Sequence, residues 1–145
     1  MSDDKVVRVS RVVPAEPQAV FDVLADPRRH ADFDGSGTVK AARVNAPERL
    51  SLGAKFGMDM RMGLPYRMTN EVVEFEEARQ IGWRHFGGHV WRYRLEPTGG
   101  GTLVTEEFDW STNKAPLMLK LMKAQERNRA AMEATLKRLE QMFSA

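Results

Sequence analysis

Beyond Pro116 the chain runs to Phe143 without a glycine or a further proline, and Met118, Leu121, Met122, Gln125, Met132, Leu136, Leu139 and Phe143 recur at helical spacing. The spacing predicts one long amphipathic helix from about Ala115 to Phe143. Such a helix has an apolar stripe that must be covered, so the preceding sequence has to supply an apolar face of comparable length.

That preceding sequence reads mainly as strands. Lys5 to Val13 is rich in β-branched valine and predicts a first strand that Pro14 ends. Further strands are expected near Thr38–Asn45, Ala54–Met62, Pro65–Phe75, Gln80–Phe86, Val90–Glu96 and Thr102–Trp110, separated by Gly- and Pro-containing turns. No βαβ spacing occurs, so the sheet should be antiparallel. Two short helices interrupt the series after the first strand. One runs from Gln18 to Ala25 with Val20, Phe21 and Leu24 on one face. The other runs roughly from Pro27 to Phe33, with Asp26 as its N-cap and Pro27 at its first position. The expected fold is α+β, with a seven-stranded antiparallel sheet, two short helices and one long C-terminal helix, all in one domain spanning 1–145.

Charge and composition exclude several functions. Twenty-two basic and 20 acidic residues leave a net charge of +2 and no sustained basic stripe, which disfavours nucleic-acid binding. Without cysteine there is no disulfide scaffold, thiolate nucleophile or cysteine zinc site. The polar start, Met1 to Lys5, and the absence of any long apolar run argue against a signal peptide and an integral membrane segment, so cytoplasmic residence is the expectation. Ser10, Ser36, Ser51 and Ser111 lie in no nucleophile-elbow context, and Gly99 to Gly101 lacks the Lys-Ser/Thr of a phosphate loop, so it reads as a hairpin turn.

The opening VSRVVPAEPQAVFDVLADP, the late strand pair WRYRLEPTGGGTLVTEEFD and the closing helix together resemble the START-like, helix-grip family of polyketide cyclase/dehydrase-like proteins. The resemblance covers essentially the whole chain. It departs at Phe33, where many relatives carry tryptophan before the second strand. The resemblance implies that the sheet is curved and that the long helix lies over a central cavity, and it specifies a fold more than a reaction, because the family includes cyclases, hydrolases, lipid carriers and hormone receptors.

Side-chain alternation then predicts which residues face that cavity. A three-residue loop at Phe86 to Gly88 pairs His85 with His89, Trp83 with Trp91 and Ile81 with Tyr93, which keeps the aromatic residues on one face. The same reasoning at Leu64-Pro65 pairs Met62 with Tyr66, Met60 with Met68, Met58 with Asn70 and Phe56 with Val72. In the last strand Val104, Glu106, Phe108 and Trp110 point inward, with Glu106 close to Tyr93. A carboxylate there must find a donor or titrate above its usual range. The apolar stripe of the long helix is broken by Gln125, Asn128 and Arg129, which are the residues placed to present polar groups to a ligand or to Glu106.

The candidate ligand-binding residues are therefore the methionines 58, 60, 62, 68, 118 and 122, with Tyr66, Asn70, Trp83, His85, Trp91, Tyr93, Glu106, Phe108, Gln125 and Arg129. Methionines line adaptable binding surfaces as well as ordinary cores. Two histidines make an incomplete metal site, so no metal is expected, and nothing calls for a cofactor. Two function classes stay open. One is a binding module for a small hydrophobic molecule such as a lipid, polyketide or aromatic metabolite, acting as a monomer or homodimer. The other is a cyclase or dehydratase-type enzyme with Glu106, His85 and Tyr93 as catalytic candidates for proton transfer. An interaction protein with a filled core is the third possibility, and a structural ion pair at Glu106 is the plain alternative to an acid–base group.

Overall fold

The computed structural model describes residues 5–33, 39–42, 49–62, 64–85, 88–111 and 124–144, with side chains throughout except at 31, 39–42, 58–62, 64–68 and 124–125. Along the chain these form β1 (Val6–Val13), α1 (Pro17–Leu24), a 3-10 turn (Pro27–Arg29) leading into α2 (His30–Phe33), β2 (Val39–Ala42), β3 (Lys55–Met62), β4 (Leu64–Glu76), β5 (Gln80–His85), β6 (Val90–Thr98), β7 (Gly101–Asp109) and α3 (Ala124–Phe143). The seven strands make one antiparallel sheet in the order β1-β7-β6-β5-β4-β3-β2. The expected helix covering Ala115 to Phe143 is present over Ala124–Phe143, and its earlier part, with Met118 and Met122, lies outside the described residues.

Local chemistry accounts for the element boundaries. Asp26 accepts a hydrogen bond from the Arg28 amide at 3.0 Å and so caps the 3-10 turn that Pro27 begins. The β6–β7 hairpin closes on Gly101 at φ 137°, where a Cβ would stand 2.2 Å from the Val13 carbonyl oxygen, so only glycine fits. Residues 7, 9 and 13 of β1, 104, 106 and 108 of β7, and 81, 83, 93 and 95 of the central strands are buried on the inner face. Helix α3 packs along β1 on that face and meets α2, contributing Met132, Leu136 and Leu139 to a core shared with Phe21, Leu24 and Phe33. At the open edge of β1, Arg129 donates to the Arg8 carbonyl at 3.2 Å, covering an acceptor that an edge strand would otherwise leave to solvent.

Two register features were not anticipated. The β3–β4 pairing is displaced by two residues from the expected one: Met62 pairs with Leu64, Met60 with Tyr66, Met58 with Met68 and Phe56 with Asn70. Only one residue separates the paired ends, so the connection is tighter than assumed. A shift of two keeps every residue in phase, which is why apolar patterning could not detect it. In β4 the register also slips between Val72 and Glu74, a bulge at Val73 that turns Glu74 outward and brings Phe75 edge-on to Phe21 at 5.4 Å.

Candidate functional site

Cross-strand registers sort the inner face into rows. One row holds Ile81, Tyr93, Glu106 and Val9 on β5, β6, β7 and β1. Here the Tyr93 hydroxyl donates to Glu106 Oε2 at 3.1 Å, with both side chains almost fully buried. The expected donor for Glu106 is thus Tyr93. Arg129 does not fill that part: it is exposed, and its guanidinium is spent on the Arg8 carbonyl because α3 lies over the β1 edge.

The next row is aromatic. It runs Val72, Trp83, Trp91, Phe108 and Val7, with Trp91 and Phe108 tilted together at 4.7 Å between ring centres. Helix α2 closes over it. The His30 ring stacks on Trp83 at 4.9 Å, meets Phe56 edge-on at 5.6 Å and is fixed by a 2.9 Å contact from Nε2 to the Leu24 carbonyl, while Phe33 stands 6.4 Å from Tyr93.

A polar row follows: Asn70 pairs with His85, and the His85 amide donates to the His89 carbonyl across the hairpin. The two imidazoles stack face to face at 4.4 Å, as the three-residue loop required, and His89 lies edge-on to Phe108 at 5.1 Å. Burial holds His85 below its ordinary pKa, and burial together with the neighbouring His85 lowers His89 to about 4. Both are therefore neutral near pH 7. Rows two residues apart along a strand are separated by roughly 7 Å. The aromatic row consequently divides His85 from the Tyr93–Glu106 pair, and the three catalytic candidates do not converge on one cluster.

The remaining candidates stand as follows. Met58, Met60, Met62, Tyr66 and Met68 lie in the β3–β4 ladder in phase with Phe56 and Asn70, and their side chains are outside the described set. Gln125 lies in the first turn of α3 and its side chain is likewise undescribed, while Asn128 is half-buried. Among the described residues no group of three or more His, Asp or Glu side chains is disposed to hold a metal, and no helix is long and apolar enough to cross a membrane. A surface cleft of about 570 Å³ between the segments 14–18 and 97–101 is lined largely by proline and glycine, away from these rows.

Two features escaped the sequence reading. His30 is one; it repeats with Pro27 and Phe33 at three-residue intervals, a spacing that marks the buried side of a short helix. The other is an ionic cluster on the outer face. Arg92 grips Glu74 with two hydrogen bonds of 2.6 and 2.7 Å and donates to Glu107 at 2.9 Å, and Arg8 reaches the second Glu107 oxygen at 2.7 Å. Hydrogen bonds from Arg92 keep Glu74 below the usual carboxylate range; burial would raise Glu107, but Arg8 and Arg92 outweigh it and hold it low. Alternating charges at Arg8, Glu107 and Arg92 on the neighbouring strands β1, β7 and β6, with Glu74 of β4 one strand further on beyond Gly82, were the available signal.

Comparison with known proteins agrees with this geometry. The family model described as polyketide cyclase / dehydrase and lipid transport matches residues 5–143. Two uncharacterized proteins of Mycobacterium tuberculosis, from strains H37Rv and CDC 1551, are each 37% identical over 145 residues, covering 94% of this chain. The chain spans 64% of the length of these curated relatives. Among solved structures, a Nitrosomonas europaea protein superposes with a TM-score of 0.75 at 16% identity, covering 97% of this chain and 95% of its own. A polyketide-cyclase-like protein of Corynebacterium glutamicum gives 0.61 at 20% identity, covering 99% and 91%. At these identities the structural likeness concerns the fold.

Proposed function

Because the chain belongs to the polyketide cyclase/dehydrase and lipid-transport family, we propose that it binds a small, largely apolar molecule in a cavity between the inner face of the sheet and the C-terminal helix. The observation that carries this reading is the gradient of burial along the inner face. Tyr93, Glu106, Trp83 and Phe108 are closed off, whereas His85, His89 and Trp91 are only partly covered although they continue the same aromatic surface. A half-covered aromatic and imidazole surface, continuous with a dry core and holding neutral rings, suits the desolvated body of an apolar ligand. The site is then the His85–His89–Trp91 end.

One observation favours catalysis as a second reading: the buried hydrogen bond between Tyr93 and Glu106 is a ready acid–base pair for a cyclase or dehydratase step. Its burial beneath Phe33, and its separation from His85 by a full row, favour a structural role and leave binding as the preferred function.

Native mass spectrometry of the purified protein tests the proposal. A bound apolar compound is expected, released on denaturation, with lower occupancy in Trp91→Ala. A ligand-free mass, together with failure to take up 1-anilinonaphthalene-8-sulfonate, would mean that the core is filled.

A further inference from the structure

The two imidazoles of the binding face share one environment. His85 and His89 stack at 4.4 Å with their planes 12° apart, and the His85 amide donates to the His89 carbonyl, so the hairpin itself holds the rings together. His89 also stands edge-on to Phe108 at 5.1 Å and to Trp91 at 6.4 Å. Both rings are half-buried. A proton on either ring therefore lies against the other ring and the aromatic surface, and a second proton would set like charges at stacking distance. Among the described side chains no carboxylate faces the pair. On β4 the neighbour is Asn70, an uncharged amide, and Glu71 points to the outer face opposite Arg84. On β6 and β7 the neighbours are Trp91 and Phe108, while Arg92 and Asp109 meet on the outer face. Glu106, the inward acid of β7, is two rows away, roughly 13 Å along the strands, and accepts from Tyr93. His30 of α2 is held by Trp83 and the Leu24 carbonyl, and Asp22 of α1 is paired with Arg49. Lys5 and the charges of α3 from Glu126 to Arg138 are exposed.

We propose that the stacked His85–His89 pair makes this face proton-regulated: an uncharged apolar ligand binds when the pair is neutral and is released when either ring takes up a proton. This assignment rests on the binding reading above and adds how the site is regulated. A ligand lying along Trp91 against the rings removes the water that still solvates a half-buried imidazolium, so the charged pair and the ligand exclude one another. Burial already holds both rings below the ordinary 6.5 in the free protein, and the ligand lowers them further. The complex then holds fewer protons than the free protein. Affinity is consequently level well above pH 6.5 and falls as the pH drops through the free pair's own titration. Uptake of a single proton limits the slope to about tenfold per pH unit. A ligand with a fixed negative charge beside the rings reverses the sign, because the imidazolium stabilises it.

Two fluorescent probes of one skeleton test the sign: N-phenyl-1-naphthylamine, uncharged throughout, and 1-anilinonaphthalene-8-sulfonate, always an anion. Their affinities are measured from about pH 8 to about pH 5, a range in which Glu74 and Glu107 stay ionised, with near-ultraviolet circular dichroism following the fold. The neutral probe is expected to weaken towards acid pH, and the sulfonate-to-neutral affinity ratio to rise roughly tenfold across the range. Calorimetry in two buffers of unlike ionisation enthalpy should show the neutral probe releasing protons at the acid end and none at about pH 8. In the double variant His85→Gln, His89→Gln the ratio should no longer depend on pH. Should that variant not fold, the ratio and the proton count in the wild-type protein decide. A constant ratio, or binding of the neutral probe without proton release at about pH 5, overturns the inference while leaving the binding face intact. If neither probe binds at about pH 8, the binding reading falls and this inference falls with it.

Discussion

Replacing Arg92 with methionine should weaken the fold more than any other single change on the outer face. Methionine keeps an unbranched stem while removing the guanidinium that grips Glu74 and supports Glu107, with Asp109 a looser neighbour at 3.4 Å. Breaking a buried ion pair by deleting one partner costs about 3–5 kcal/mol, and an exposed pair is worth about 0–1 kcal/mol. The cluster lies between these limits. Arg92 is 11% exposed and Glu107 3%, but Glu74 is 27% exposed and can partly rehydrate, and Glu107 retains Arg8 at 2.7 Å and Arg94 at 3.3 Å. The expected loss is about 2–3 kcal/mol, which for a urea m-value of about 2 kcal/mol/M lowers the unfolding midpoint by roughly 1–1.5 M. The pH dependence has a definite sign. Glu74 and Glu107 titrate below their ordinary 4.5 in the folded protein, so their stabilisation is complete above that pH and fades as pH falls through their folded values. The gap between wild type and variant should therefore narrow below about pH 4.5. An unchanged midpoint at pH 7 would show that the cluster is exchangeable for water and that the energetic reasoning is wrong.

Three further outcomes are expected. Gly82→Ala puts a Cβ 3.0 Å from Glu74 Oε1, so it should destabilise the wild-type protein but have little added effect in Arg92→Met, a non-additivity readable in urea melts. Tyr93→Phe removes a buried donor from Glu106 and should cost about 1–3 kcal/mol by the same assay, whereas no loss would show that the hydrogen bond carries no net stability. For His89, whose pKa of about 4 in the fold lies below the ordinary 6.5, the unfolded chain takes up the proton first. Stability should fall as pH drops from about 6.5 to about 4, by at most about 3 kcal/mol. His89→Gln should flatten that slope, and an unchanged slope would mean that the ring is hydrated.

The sequence was most informative where two constraints met. At the β5–β6 hairpin, loop length and the placement of Trp83, Trp91 and Tyr93 agreed on one register, and the structure adopts it. At β3–β4 only alternation was available, and alternation cannot separate registers that differ by two residues. The Val73 bulge was invisible for a related reason: an extra residue leaves composition unchanged, and its effect is a phase change that appears only when Glu74 finds Arg92. Glu106 could be placed because a lone acid within an apolar series is conspicuous. Glu107 and Arg92 could not, since charged residues on an outward strand face normally indicate solvent, and here they cover one another. Trp110 was placed inward from the sequence, but that its indole Nε1 finds no hydrogen-bond partner among the described residues is a property of three-dimensional packing.

The bulge at Val73 also bears on how this chain can be aligned with its relatives. At Asn70 and Val72 the even-numbered residues of β4 face inward; beyond the bulge Phe75 is the inward residue and Glu74 the outward one. A relative with a regular strand here has one residue fewer for the same ladder, so the correct correspondence contains a single gap at this point. An ungapped alignment would set the partner of Arg92 against a core position and a core phenylalanine against a surface one. Any evolutionary inference about the ionic cluster or about the α1 contact would then be drawn from the wrong column.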